Sequence, residues 1–188
     1  MNKSGFLNKS DLILQECDLA LHQVDPNSIE LLVKEIIDAE KVFCVGVGRV
    51  LIALQSMVKR LNHLGIAAYY VGQLDEPPIT HKDLLIVGSS SGESLIPVAI
   101  ARKAQSFNAR IAYIGSNSES TVSQLSDLFV RIPVPTKIVV DNTVDSQQPM
   151  SSLFEQCLFL LGDVLTLMIM EEKQMDKEEI RQYHANLE

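Results

Sequence analysis

The sequence predicts an α/β domain built on a doubly wound parallel sheet, and three observations carry that prediction. Short apolar runs alternate with stretches of helical period along residues 41–132. One run, Leu84–Val87, is wholly apolar, as a strand covered on both faces should be. The runs end in glycine- or serine-rich loops that open directly into helices, at 46–49, 88–94 and 115–121. A chain of 188 residues has room for one well-cored domain, expected to span 1–188. Within it we expect N-terminal helices over 1–39, an α/β core over 40–150 and C-terminal helices over 151–188.

Residues 8–22 place Leu12, Ile13, Cys17, Leu19 and Ala20 at roughly helical spacing, which predicts an amphipathic helix outside the sheet. Asp25-Pro26 is a strong helix start, Asp as the cap and Pro at the first helical position, and the apolar stripe Ile29, Leu32, Val33, Ile36 and Ile37 follows it. The first strand is expected over 41–47. It runs into Gly46-Val47-Gly48-Arg49 before a helix over 50–64. A dinucleotide fingerprint needs a third glycine at position 51, which is Leu51, so a nicotinamide cofactor is not expected here. Arg49 reads either as a charge partner for a phosphate or as an exposed arginine in a turn.

Asn62-His63-Leu64-Gly65 has the form of a helix C-terminus, which makes His63 a capping residue by position. Strands are expected over 67–71, 84–87, 110–114 and 128–132. A helix from Leu95 to about Phe107 and a short one after Thr121 separate the last three. The Ser89-Ser90-Ser91-Gly92-Glu93-Ser94 loop holds more hydroxyls than one helix cap can use. Lying between a buried strand and a helix N-terminus, it points to an anionic ligand, phosphate before any other. In a doubly wound sheet the loops at 46–49, 89–94 and 116–121 are expected to face one crevice.

Residues 133–149 contain three prolines and are too long for a plain connector, which suggests a functional loop. The helix that follows is so densely apolar, from Leu153 to Met168, that an intersubunit core is a natural place for it. Its longest apolar stretch, Leu158 to Met170, is too short to span a bilayer and contains Asp163. A formal charge of −8 with no basic stripe argues against nucleic-acid binding. Cys17, Cys44 and Cys157 are widely spaced in apolar company and read as reduced core residues of a cytoplasmic protein.

The serine loop resembles the sugar-phosphate loop of sugar isomerase (SIS) domains, whose pattern is Ser, any residue, Ser, Gly, any residue, Ser or Thr. Residues 59–65 (KRLNHLG), 148–156 (QPMSSLFEQ) and 184–188 (HANLE) are similar to the 6-phospho-3-hexuloisomerases in particular. That resemblance implies a three-layer α-β-α sandwich with a five-stranded parallel sheet, flavodoxin-like, and a homotetramer. It also implies interconversion of hex-3-ulose 6-phosphate and fructose 6-phosphate without metal or other cofactor, within ribulose monophosphate formaldehyde fixation or its reverse.

The site residues follow from the same resemblance. Ser89, Ser91, Gly92 and Ser94 would hold phosphate with Gly48 and Arg49 assisting, and Glu155 would be the base that moves a proton between carbons. His184 or His63 would shuttle oxygen protons. Read from the residues alone, Glu155 is equally the third position of a Ser152-x-x-Glu155 capping box, and His184 an ordinary solvated terminal histidine. Two positions depart from the family pattern: Val50 replaces a hydroxyl residue in the first loop, and Ser90 replaces a glycine in the second. A phosphosugar sensor without turnover, or an isomerase of another sugar phosphate, would share the loop. Sensors of that type carry a DNA-binding segment, and no basic helix-turn-helix pattern is present in these residues.

Overall fold

A computed structural model describes residues 3–184. Twelve elements follow in the order α1 (Lys3–Leu21), α2 (Pro26–Asp38), β1 (Val42–Val45), α3 (Arg49–His63), β2 (Ala68–Tyr70), β3 (Leu84–Gly88), α4 (Leu95–Gln105), β4 (Arg110–Gly115), α5 (Thr121–Leu125), β5 (Leu128–Arg131), α6 (Ser152–Glu172) and α7 (Lys177–Arg181). The five strands form one sheet in the order β2-β1-β3-β4-β5, with every neighbouring pair parallel. This is the three-layer, flavodoxin-like arrangement expected.

Side-chain alternation along the strands divides the core. Val42, Cys44, Leu84, Ile86, Ala112 and Ile114 face a layer made by α1, α2, α3 and α6. Phe43, Val45, Leu85, Val87, Ile111 and Tyr113 face α4 and α5 on the other side. Handedness explains the split. The chain moves from β1 to β2 in one direction and from β3 through β5 in the other, so right-handed crossovers put α3 on one face and α4 and α5 on the opposite one. The strand order reverses between β1 and β3, and at such a switch point the two carboxyl-end loops diverge to leave a crevice.

The helix starts reflect local chemistry. Asp25 caps α2 by accepting from the Asn27 amide at 3.1 Å, with Pro26 at the first position. α1 begins earlier than the apolar spacing suggested and does more than flank the sheet: Cys17 and Ala20 are buried in the core against α6. At 21 residues, α6 is long and apolar enough to cross a membrane by length and composition, contrary to the reading of its apolar stretch as too short. Its packing identifies it as a core helix. Phe154, Cys157, Leu158, Leu165 and Ile169 are fully buried within this chain, while Asp163 is paired with Arg60 at 2.8 Å.

Candidate functional site

The carboxyl end of β1 leads through Gly46-Val47-Gly48 into α3. Gly48, at φ 58, occupies the N-cap position in the left-handed region where a side chain would be strained. At Gly46 and Gly88 a Cβ would lie 2.9 Å from the Leu54 Cδ1, so glycine at both strand ends lets α3 settle directly onto the rim of the sheet.

After β3, the serine loop is wound around the Ser89 hydroxyl. Its Oγ accepts from the Gly92 amide at 3.1 Å and donates to Ser94 Oγ at 3.4 Å. Ser91 Oγ accepts from the Glu93 amide at 3.3 Å. The loop is braced from behind. Tyr113 Oη, fully buried, donates to the Ser89 carbonyl at 2.9 Å, and Asn117 Nδ2 donates to the Ser91 carbonyl at 3.3 Å. The Glu93 carboxylate accepts from both the amide and the hydroxyl of Thr121.

The third wall is the start of α6. Glu155 projects from its first turn with a side chain 11% exposed, and its Oε1 lies 2.7 Å from Arg49 Nε. The capping box foreseen over Ser152–Glu155 is not what forms. Ser151, not Ser152, is the N-cap, the Ser152 hydroxyl donates to the Pro149 carbonyl at 2.8 Å, and Glu155 is engaged by Arg49.

Together these walls enclose a cleft of about 510 Å³ at the β1/β3 switch point, lined among others by Gly48, Arg49, Ser89, Ser91, Ser94 and Glu155. The N-termini of α3, α4 and α6 all open into it. Each of these helices has an N-cap residue, Gly48, Ser94 or Ser151, that makes no side-chain capping bond. By contrast α2 and α5, whose starts lie elsewhere, are capped by Asp25 and Ser120 side chains. Uncapped N–H groups and three partial positive charges converging on one cleft make a receptor for an anion. The cleft thus combines an anion pole with a carboxylate held by a guanidinium, the two parts a proton-transfer enzyme acting on a phosphorylated molecule requires.

Comparison with known proteins agrees with this geometry. The SIS domain profile matches residues 35–161. A 3-hexulose-6-phosphate isomerase of Bacillus subtilis is 35% identical over 176 residues, covering 94% of this chain and 95% of its own. The chain belongs to the 3-hexulose-6-phosphate isomerase branch of the SIS domain family. The Mycobacterium gastri protein of that name is 33% identical over 181 residues, covering 96% of this chain and 90% of its own. A crystal structure from Methanococcus jannaschii, described with an inferred molecular function of 3-hexulose-6-phosphate isomerase, superposes with a TM-score of 0.83 at 29% identity over 96% of this chain and 99% of its own.

Within this SIS domain the expected residues fall into two groups. Gly48, Arg49, Ser89, Ser91, Ser94 and Glu155 share the cleft, whereas Gly92 is buried behind the lining. Its φ of +67 makes the loop's turn, and a Cβ there would overlap the Ser120 hydroxyl and come within 2.7 Å of Tyr113 Oη. Glycine is therefore required here by the close approach of the protein's own second layer. Residues 116–121, expected at the crevice, form that layer: Ser116 Oγ donates to the Val134 carbonyl at 2.6 Å and Ser120 caps α5.

His63 and His184 make up the other group. Their rings stack with centroids 5.0 Å apart, at the far end of α3 and about 21 Å along its axis from Arg49. His63 lines a separate cavity of about 440 Å³ with Arg60 and Asp163. The rest of the terminal motif, residues 185–188, lies outside the described residues.

Two residues that the sequence reading does not single out bear on the site, one lining the cleft and one fastening its third wall. Lys137, from the long loop after β5, lines the cleft. Its one signal was being the only lysine within the proline-rich stretch 133–149. Glu16 of α1, only 5% exposed, accepts from the Ser146 hydroxyl at 2.6 Å, the Gln147 amide at 2.8 Å and Gln148 Nε2 at 3.0 Å, fastening the segment that leads into α6. Burial pushes the Glu16 carboxyl up, but these hydrogen bonds outweigh burial and hold it below its ordinary value. Nothing in the polar i-spacing of α1 distinguished it.

Proposed function

We propose that this chain interconverts hex-3-ulose 6-phosphate and fructose 6-phosphate through a 2,3-enediol. The observation that carries the reading is the placing of Glu155 in one cleft with the serine loop and the three uncapped helix starts. Phosphate anchored at the amides and hydroxyls of 89–94 would lay the sugar carbons across the cleft toward Glu155. The carboxylate takes the C2 proton of the 3-ketose, and the C2–H electrons form the C2=C3 bond as the carbonyl oxygen gains a proton. Return of the carbon-bound proton to C3 and loss of the proton from the C2 hydroxyl then give the 2-ketose. No atom is gained or lost. Arg49, paired with Glu155 at 2.7 Å, would orient the carboxylate and stabilise the oxygen on which charge develops.

Gly48 and Arg49, with Ser89, Ser91 and Ser94, make up the phosphate-facing side in this reading. His63 or His184 would serve it by moving oxygen protons only from a neighbouring subunit, since within one chain they stand away from the cleft. A homotetramer supplies such a neighbour. Exposed Ile13, Leu14, Ile52, Phe159 and Leu160 surround an apolar cavity of about 340 Å³ that borders Arg49 and Glu155, and a second copy would cover it. The place in metabolism would be cytoplasmic formaldehyde fixation or the reverse supply of pentose phosphate.

The test is a coupled assay. Purified protein receives enzymatically generated hex-3-ulose 6-phosphate, and fructose 6-phosphate is followed through phosphoglucose isomerase and an NADP-linked dehydrogenase. NADPH production that disappears in Glu155→Gln supports the reading. Binding of fructose 6-phosphate without turnover overturns it.

A further inference from the structure

The segment between β5 and α6 is held at its roots and projects at its tip. At the roots, Ser116 Oγ donates to Val134, the Val144 amide donates to the Pro133 carbonyl at 2.8 Å, and Arg131 Nη2 donates to the carbonyls of Asp141 at 2.6 Å and Asn142 at 3.1 Å. At the tip, Thr136 Oγ1 accepts from the Ile138 amide at 3.1 Å and donates to its carbonyl at 2.7 Å, a tight turn with Lys137 at its apex. The turn is solvent-facing, with Lys137 and Val139 both exposed, and Lys137 lines the cleft together with the serine loop.

Charge makes this position significant. The ionisable side chains among the described lining residues are Arg49, Glu155 and Lys137. Arg49 and Glu155 neutralise each other at 2.7 Å, and among the described residues Lys137 is in no salt bridge. A phosphate monoester carries roughly −1.5 to −2 at neutral pH. The hydroxyls and helix starts offer it only partial charges, so the one full positive charge not already matched in the cleft is the Lys137 ammonium.

We propose that Lys137 is a substrate-binding residue that pairs with the phosphate from the segment between β5 and α6. This rests on the phosphosugar reading above and adds to it the cation that selects a phosphorylated over a free sugar. Because the lysine acts on the non-reacting end of the substrate, it contributes to binding rather than to proton transfer.

The experiment compares wild type, Lys137→Met and Lys137→Arg, using kcat and KM for hex-3-ulose 6-phosphate together with competitive inhibition by inorganic phosphate. For Lys137→Met we expect a rise of about ten- to thirty-fold in both KM and the phosphate inhibition constant, with kcat changed less than about threefold. Lys137→Arg should recover most of the loss. Unchanged KM and phosphate inhibition in Lys137→Met would overturn the proposal, and so would a fall in kcat with phosphate inhibition unaltered. Thermal shift separates this from failure of the isomerase reading. If wild type does not turn over, stabilisation by fructose 6-phosphate but not fructose, lost in Lys137→Met, upholds Lys137 as the phosphate partner; stabilisation retained in the variant, or none in wild type, overturns it.

Discussion

Arg49 and Glu155, over a hundred residues apart in the chain, meet at 2.7 Å across the first turns of two helices, α3 and α6. The helices run side by side in the same direction, Arg49 by Glu155 at one end and Arg60 by Asp163 farther along, so both N-termini point to the cleft. Arg49 is 66% exposed and Glu155 is not, which sets an asymmetry. The guanidinium remains open to a ligand while the carboxylate is held in place. Glu155→Gln keeps the shape and removes the proposed base, and we expect kcat to fall by about 10²- to 10⁴-fold with KM little changed. Arg49→Met should lower kcat and leave the remaining carboxylate misaligned. Steady-state kinetics in the coupled assay check both.

Glu16 touches nothing in the cleft and yet anchors its third wall through residues 146–148. Glu16→Ala leaves part-buried donors without their partner, at a cost of about 1 kcal/mol, and should lower kcat by loosening Met150–Glu155. The pH dependence has a definite sign. Since the folded carboxyl sits below its unfolded value, its contribution is fully present above the ordinary carboxylate range and is lost as pH falls through the folded pKa. Urea denaturation from pH 7 down to pH 3 should show an acid-side loss of stability that is smaller in Glu16→Gln.

Tyr113 behaves oppositely. Burial pushes its hydroxyl up to about 12, so its contribution is complete below the ordinary tyrosine value and declines as pH rises from about 10 toward 12. Tyr113→Phe removes the donor to the Ser89 carbonyl, which should cost about 1–2 kcal/mol at neutral pH and flatten the alkaline limb. Chemical denaturation at pH 7 and pH 11 measures both parts.

Gly92→Ala should be severe for a position buried behind the cleft lining. The positive φ and the overlap with Ser120 and Tyr113 together predict a loss of about 3 kcal/mol or more, with phosphate inhibition weakened as the loop is displaced. Thermal unfolding with and without inorganic phosphate reads both effects.

What was legible in the sequence follows the range of the interactions concerned. The five strands, the Asp25 cap and the serine loop are written in adjacent residues, as buried runs, a cap-proline pair and a cluster of hydroxyls. The remaining features depend on geometry that the local sequence pattern does not reveal. Ser94 looks like an ordinary cap, and only the fold shows its hydroxyl turned to Ser89 instead. Glu155 fits a capping box until Arg49 is brought beside it. Residues 116–121 mimic the serine loop in composition, but one strand farther from the switch point their hydroxyls close bonds to 134, 117 and 123. Lys137 has no local signal beyond being the one lysine of residues 133–149, because its position depends on where that loop is tied.

The tie between Glu16 and residues 146–148 also orders events in time. A ribosome releases the chain from its N-terminus at about 5–20 residues per second, so α1 waits on the order of ten seconds for the partners of its one buried carboxylate. Through that interval the strands and α3 can assemble, while Arg49 and the serine loop face an unfinished pocket. Closing a contact over 130 residues is entropically costly and comes late. The contact that fastens the third wall of the cleft therefore joins distant parts of the chain and can form only once residues 146–148 have been synthesised.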